Sequence, residues 1–213
     1  MFPLANHDPL CPNSGVLDFF KTWISFDQDT YLFPYQVNAG IPVKEYWSSS
    51  GNRVPSDAGI WLAEVGFPAQ VRHLFLSHSA ANILCFCQLN PQWLDSPAKV
   101  AFAALGLLPT ADQVVYLKER FPSAKIHTLF DTGLTGRITD CKAALWLTKN
   151  DATFLAEGDL VKIRFRRNNF SIPACAFSLN RFEKTTGLRS GIRTHKSKNG
   201  LGSYYEFYLN TLQ

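Results

Sequence analysis

The chain has 213 residues, of which 46% are apolar and 18% charged, and its formal net charge is +4. This composition is typical of a folded globular chain and excludes a disordered or fibrous one. No apolar run reaches the roughly 18 residues needed to cross a bilayer, and the first residues lack the basic start and apolar run of a signal peptide, so we predict a cytoplasmic protein without a membrane partner.

Residues 1–69 are rich in aromatic and turn-forming residues and predict a small, β-rich α+β lobe. A helix is expected around residues 15–24, where apolar side chains follow the i, i+3, i+4, i+7 spacing of one helical face. Thr30–Tyr35 and Val43–Trp47 have the composition of strands, and the turn cluster Ser48–Asn52 follows the second. The aromatic side chains of this lobe form its core or, as an alternative, stack on nucleic-acid bases.

Residues 70–159 alternate short apolar runs with amphipathic stretches. Strands are predicted at Val71–Leu76, Lys99–Ala104 and Ile126–Phe130, and helices from Ser77 or Ser79 to Leu89, at Ala111–Arg120 and at Arg137–Thr148. Such alternation predicts an α/β domain with a parallel sheet and helices on both faces. A further strand is predicted at Val161–Phe165.

Three loops follow these predicted strands, at Ser77–Ser79, Leu105–Leu107 and Asp131–Gly133. The carboxyl ends of parallel strands meet at one edge of a sheet, and α/β proteins bind their ligands there. We therefore expect the functional residues of this domain to lie in these loops.

Residues 70–155 resemble the toprim domain of bacterial primases, topoisomerases and mobile-element proteins, through the segments LFLSHSAANILCF, VAFAALG and HTLFDTGLTGRITDCKAALWL. The preceding PYQVNAGIPVKEYWSSSGNRV is similar to a lobe found ahead of toprim domains in primase-like proteins of mobile genetic elements. The resemblance implies a toprim-like parallel sheet flanked by helices, and a role in a replication or mobile-element module.

In the toprim family a glutamate after the first strand serves as general acid or base, and a second acid follows four places later. His78 stands at the glutamate position in this chain, Ser79 follows it, and Asn82 stands at the second acidic position. The resemblance therefore implies a site that has lost both acids after its first strand.

The family also has an Asp-x-Asp pair after the third strand, usually followed by a glycine, and its aspartates hold magnesium. Asp131 matches the first aspartate, Gly133 replaces the second, and Gly136 matches the glycine. Magnesium is bound in proteins by carboxylates together with substrate phosphates. With one carboxylate at the four acidic positions, we predict no bound metal and a degenerate, non-catalytic or weakly active protein in which His78 and Asp131 are vestigial.

Other interpretations of these two residues stay open. In one interpretation, His78 and Asp131 form the site of a metal-dependent phosphotransfer enzyme, such as a nuclease or a primase-like enzyme, with a divalent metal at Asp131. In another, the same two residues form the site of a metal-independent hydrolase. As structural residues, His78 packs at the head of a helix, and Asp131 accepts hydrogen bonds from the amides of residues 133–137. Asp140, inside the following helix, is expected to be solvated. A protein–protein interaction module is the remaining alternative.

Residues 160–213 form a basic C-terminal extension, with ten lysines and arginines against two acids. A segment of this charge predicts a polyanionic partner, so we expect binding to nucleic acid. The predicted phosphate contacts are Arg164, Arg166, Arg167, Arg189, Arg193, Lys196 and Lys198. The aromatic run Tyr204–Leu209 stacks on unpaired bases in this hypothesis, or forms a strand with one buried face.

The five cysteines are an odd number and do not have the paired spacing of a zinc site. We therefore predict reduced, buried thiols rather than disulfides or metal ligands.

Overall fold

The structure, a computed structural model, describes residues 12–37, 43–56, 59–198 and 200–212. In these residues the chain forms six α-helices and twelve strands, and the strands build three sheets. It is a mixed α/β structure whose largest sheet contains parallel strands and is flanked by helices.

The first sheet is a four-stranded antiparallel meander that follows one short helix. Helix α1 is Ser14–Phe20, and the strands in chain and pairing order are β1 (Ser25–Asp27), β2 (Thr30–Tyr35), β3 (Val43–Ser48) and β4 (Gly51–Arg53). The two predicted strands are present, but α1 ends before the predicted residue 24. Lys21–Trp23 form a turn instead, in which the Trp23 carbonyl accepts a hydrogen bond from the Trp61 indole nitrogen at 2.9 Å.

The largest sheet has five strands in the order β12-β8-β6-β7-β5. Their bounds are β5 (Trp61–Glu64), β6 (His73–Ser77), β7 (Val100–Ala104), β8 (Lys125–Thr128) and β12 (Arg193–Thr194). β12, β8, β6 and β7 are parallel, whereas β5 pairs antiparallel with β7. The predicted parallel sheet is thus present, and it takes β5 and β12 from outside residues 70–159.

Helices cover both faces of this sheet. α2 (Ala80–Leu89) packs on one face together with α1, and α3 (Ala111–Arg120) and α4 (Leu134–Leu147) pack on the other. The core of the first face is continuous with that of the N-terminal meander, because Trp47 of β3 and Phe102 of β7 belong to the same apolar cluster. The division predicted at residues 69 and 70 is therefore crossed by shared packing.

The third sheet is an antiparallel meander, formed by β9 (Thr153–Glu157), β10 (Leu160–Phe165) and β11 (Asn168–Pro173). α5 (Leu179–Thr186) packs beneath it. The strand predicted at Val161–Phe165 is present, but it does not continue the parallel sheet. Its residues alternate between exposed and buried, as in an antiparallel strand with one solvated face.

The aromatic run near the C-terminus is a helix, α6 (Tyr204–Thr211), and the predicted strand is wrong. Ser203 caps α6 by accepting a hydrogen bond from the Glu206 amide at 3.1 Å. The i, i+4 spacing places Tyr204 and Tyr208 on one face, which is buried against α2. These two rings are core residues, so they are not available to stack on bases.

Candidate functional site

The three predicted loops meet in a cleft of about 260 Å³ at the carboxyl edge of the parallel sheet. Ser77, His78 and Ser79 after β6, Leu107 after β7 and Asp131 after β8 line it. The other walls come from β4 and the residues after it, from α2 and from the start of α6, through Gly51, Asn52, Val54, Asn82, Ser203 and Tyr205. The prediction that these loops converge is therefore confirmed, and α6 is a wall that the sequence did not reveal.

His78 lies half-buried in this cleft, with its ring 4.6 Å from the Phe130 ring. Burial, and then the nearby charge of Lys196, lowers the pKa of His78 to about 4. Its Nε2 atom is buried, and within the described residues it has no hydrogen-bond partner. A histidine with this pKa is neutral at pH 7, so it is a weak base and is not the charged imidazolium that acts as a general acid.

Asp131 lies at the mouth of the cleft and is exposed. Partial burial of its carboxyl group raises its pKa, Lys196 opposes this, and Glu206 adds to it. The predicted hydrogen bonds from the amides of residues 133–137 to this carboxylate are not formed in the described structure. Gly136 is needed for a steric reason, since a Cβ atom there would lie 2.2 Å from the Asp131 carbonyl oxygen.

Asn82, at the second acidic position of the resemblance, has a structural role. Its amide nitrogen donates to the Ser77 hydroxyl at 3.0 Å and to the Leu129 carbonyl at 2.9 Å, and its oxygen accepts from the Tyr205 amide at 3.0 Å. This 4% exposed side chain thus fastens the start of α6 to the ends of β6 and β8. Its side-chain oxygen, the atom that would face a cation, is already hydrogen-bonded.

A buried carboxylate lies beneath the cleft, and the sequence did not point to it. Glu45 is fully buried, and its oxygens accept four hydrogen bonds, from the hydroxyls of Tyr35 (2.7 Å) and Ser79 (2.6 Å) and from the amides of Ala80 (2.8 Å) and Ala81 (3.1 Å). Burial raises its pKa, and the hydrogen bonds act against that rise. The alternation of side chains along β3 could have indicated this burial, because Glu45 lies two positions before Trp47 and therefore shares its inward face.

Asp140 is buried rather than solvated, which corrects the prediction. Its side chain is 1% exposed, and its oxygens lie 2.6 Å from the Lys196 ammonium and 2.6 Å from the Thr128 hydroxyl. Burial raises the pKa of Asp140, against the effect of Lys196. Lys196 also donates to the carbonyls of Phe130 at 2.8 Å and Asp131 at 2.9 Å. Its three N–H groups are thus in use, and Lys196 fastens the segment after β12 to the end of β8.

Three histidines form a hydrogen-bonded row across β6, β8 and the end of β12. His73 Nδ1 lies 3.0 Å from His127 Nε2, and His127 Nδ1 lies 2.8 Å from His195 Nε2. Because His127 directs its two nitrogens to different neighbours, the three rings do not converge on one metal. Burial lowers the pKa of all three, and that of His127 falls to about 3.

The other predicted phosphate contacts are exposed and fall into two groups. Arg164, Arg166 and Arg167 lie together on the β10–β11 hairpin, whereas Arg189, Arg193 and Lys198 lie along the segment that contains β12. The remaining prediction, Lys196, is the internal residue described above. Exposed guanidinium groups are suited to phosphate binding, and an ammonium group with three internal partners is not.

The four positions that the resemblance assigns do not fit a magnesium site. They hold His78, Asn82, Asp131 and Gly133, of which one is a carboxylate. Glu206 is a second carboxylate near Asp131, and its Oε2 accepts from the Gly202 amide at 2.7 Å. Among the described residues, no group of three or more histidine, cysteine, aspartate or glutamate side chains is arranged to hold a metal ion.

Four of the cysteines lie in the described part of the chain, and their thiols are free. Cys85, Cys87 and Cys141 are buried as predicted, whereas Cys175 is exposed, and Cys11 lies outside the described residues. No helix in this part of the chain has the length and apolar character to span a membrane.

No protein-family model matches the chain, and no curated protein matches it in sequence. Among solved structures, the chain is similar to one from a complex described as bacteriophage T7 lagging-strand DNA polymerase interacting with primase domains of two gp4 subunits bound to an RNA/DNA hybrid and dTTP. The identity is 14%, the TM-score is 0.40, and the match covers 60% of this chain and 67% of that one. A likeness at this level carries no argument about function.

Proposed function

We propose that this protein binds nucleic acid without cutting or synthesising it, as a degenerate toprim-like member of a replication or mobile-element module. The observation that carries the proposal is the exposed group of arginines on the β10–β11 hairpin, Arg164, Arg166 and Arg167. Guanidinium groups bind phosphates with paired hydrogen bonds, and each contact releases condensed counterions. The cytoplasm is the compartment we propose for this activity.

The cleft supports the non-catalytic part of the proposal. At the positions where a toprim enzyme has its first two acids, His78 is neutral at pH 7 and Asn82 is bound to three internal partners. Phosphoryl transfer depends on cations that offset the charge developing on phosphate oxygens. At one of these positions, that of Asn82, the polar group stabilises the fold instead.

Fluorescence anisotropy with a labelled oligonucleotide tests the proposal. The affinity is expected to fall with the logarithm of the salt concentration with a slope of about −3 or steeper, as for three or more neutralised phosphates. Arg164→Gln should weaken binding and reduce the slope by about 1. Arg181→Gln, an exposed arginine on α5, is the matched control and should leave the slope unchanged. Binding that does not depend on salt would reject the proposal.

A second candidate is a metal-dependent phosphotransfer enzyme. It is favoured by the presence of His78 and Asp131 in one cleft and by the proximity of Glu206 to Asp131. If it is correct, the protein will cleave or extend DNA in the presence of magnesium or manganese, and Asp131→Asn and Glu206→Gln will each abolish turnover. Product that forms equally with the wild type and with these variants would come from a contaminating enzyme.

A further inference from the structure

The hairpin between β10 and β11 turns through two arginines. Phe165 pairs with Asn168, so Arg166 and Arg167 are the two turn residues, and their φ angles are +49° and +67°. A two-residue hairpin with positive φ at both positions strongly favours Asn-Gly, because a side chain other than that of asparagine or aspartate is strained there. Neither arginine is suited to its position by local conformation.

The chain has the favoured residue type directly beside this turn, at Asn168 and Asn169. Packing keeps those asparagines in β11, because in the observed register Ile163 lies opposite Phe170 and Val161 opposite Ile172. A two-residue turn at Asn168 and Asn169 would extend β10 to Arg167 and place that charged side chain on the inward face with Phe165. Packing therefore fixes the position of the turn, but it does not explain why arginines occupy the two strained positions. Strain of this kind is typical of functional sites.

The charged side chains on and behind the tip are mostly cationic, and Lys162 among them pairs with Glu157 of β9. Arg164 and Lys162 lie on the exposed face of β10, directly behind the turn. The Arg166 guanidinium lies 4.8 Å from the centre of the Phe165 ring and 3.3 Å from the Asn150 side-chain oxygen. These contacts orient one charged group at the tip before any ligand arrives, which lowers the entropy lost on binding.

The surroundings favour a double strand over a single strand as the ligand. Proteins that bind single strands stack bases on exposed aromatic rings. Near the hairpin, Phe165 is 2% exposed and Phe170 is partly buried in the core above α5. A duplex has the higher density of backbone charge, about one negative charge per 1.7 Å of its axis. Closely spaced cations without exposed rings match that property.

We propose that the β10–β11 hairpin tip is a contact site for duplex DNA, in which Arg166 and Arg167 bind backbone phosphates and Lys162 and Arg164 bind those next to them. The proposal rests on the proposed function and assigns its site and substrate class. It also gives a reason for the strained turn, because both turn positions are exposed at the tip of the hairpin.

The test replaces the turn by the pair that the backbone favours, Arg166→Asn with Arg167→Gly. This variant should be more stable than the wild type, with a melting temperature higher by about 2–4 °C. Its affinity for a labelled duplex should nevertheless fall at least about 10-fold, and the salt slope should be shallower by about 2. A gain in stability together with a loss of binding is the expected signature.

Two further variants separate charge from turn geometry. Arg181→Gln with Lys184→Gln removes the same charge from α5 and should leave the affinity and the slope near the wild-type values. Arg166→Lys with Arg167→Lys keeps the charge and should retain most of the slope. A labelled single strand of the same sequence should bind more weakly than the duplex.

Each other result has a definite meaning. If the wild type binds the duplex with a steep salt dependence and the Asn-Gly variant binds equally well, the hairpin assignment is wrong and the proposed function stands. If the Asn-Gly variant is less stable than the wild type, the turn is not strained and the inference fails. If the wild type binds neither nucleic acid, the proposed function itself is wrong.

Discussion

The carboxyl-edge cleft and the β10–β11 hairpin use polar residues in opposite ways. Around the cleft, Glu45, Asn82 and Lys196 are held by partners within the fold, at hydrogen-bond distances of 2.6–3.1 Å. On the hairpin, Arg166 and Arg167 are exposed on a backbone that disfavours them. Polar residues around the cleft thus stabilise the fold, whereas the arginines of the hairpin are presented to solvent. Mutations should therefore affect stability in the cleft and binding on the hairpin.

The largest effect is expected from Glu45→Ala. It leaves the Ser79 hydroxyl and the amides of Ala80 and Ala81 without the buried carboxylate that accepts from them. The Tyr35 hydroxyl also loses its short hydrogen bond and keeps the His78 carbonyl, at 3.4 Å. We expect the free energy of unfolding to fall by about 3–5 kcal/mol, because each buried donor without a partner costs about 1–3 kcal/mol and the neighbours relax in part. Urea denaturation measures it.

Lys44→Ala is the matched control, since Lys44 is the exposed neighbour on the same strand. It should change stability by less than about 0.5 kcal/mol. An equal, small loss in both variants would mean that Glu45 does not anchor the start of α2.

Lys196→Gln should have the next largest effect. It removes the cation beside the buried Asp140 carboxylate and two hydrogen bonds to the end of β8. We expect a loss of about 2–3 kcal/mol, less than for a fully buried ion pair because the Lys196 side chain is 27% exposed.

The same variant separates the two regions. Under conditions in which Lys196→Gln remains folded, its salt slope for nucleic-acid binding should equal that of the wild type. A shallower slope, with unchanged stability, would return Lys196 to the phosphate-binding set.

The histidine row predicts a pH dependence of stability. His127 has a pKa of about 3 in the fold, against 6.5 in an unfolded chain. As the pH falls below about 6.5, the histidine takes up a proton in the unfolded state but stays neutral in the folded state. The free energy of unfolding therefore decreases by up to about 1.4 kcal/mol per pH unit for each such group. Burial is the main factor that opposes protonation of His127, followed by the nearby His195, His73, Arg193 and Lys125.

His127→Phe keeps an aromatic ring at this site and removes the titrating group. The free energy of unfolding is measured between pH 4 and 7 in steps of about one pH unit. Its dependence on pH should be weaker for this variant than for the wild type. Parallel plots would show that His127 is not the group that titrates.

Much of the parallel domain was predictable because its signals are local. Thr110 and Gln113 form a capping box, so the predicted helix 111–120 has the observed bounds of α3. The elements that were missed depend on distant contacts. β12 has two residues, too few to show the alternation of apolar and polar residues that indicates a strand, and its conformation is fixed by pairing with β8. The tyrosine-rich α6 has high strand propensity locally, and burial of two of its rings against α2 decides for a helix.

The candidate site divides in the same way. The meeting of His78 and Asp131 follows from the geometry of parallel strands and was predicted. Glu45 comes from another sheet, and Asp140 meets Lys196 across 56 positions of the chain, so no local pattern contains either arrangement. The residue types at the cleft could be read from the sequence, whereas the partners of Glu45, Asn82 and Asp140 depend on the packing.

The smallest predicted effect lies within the hairpin sheet. Lys162 pairs with Glu157 across β9 and β10, and both side chains are about half exposed. Glu157→Gln should change stability by less than about 0.5 kcal/mol, since surface ion pairs contribute little. It also removes a negative charge beside the proposed phosphate-binding face and releases the Lys162 ammonium. Duplex affinity should therefore rise, by less than about 5-fold, because the released interaction is worth at most about 1 kcal/mol.

The control is Asp151→Asn, which removes an exposed acid that pairs with Lys142 and not with the hairpin, and it should not change the affinity. An affinity that rises equally in both variants would reflect net charge alone and would remove Lys162 from the contact surface.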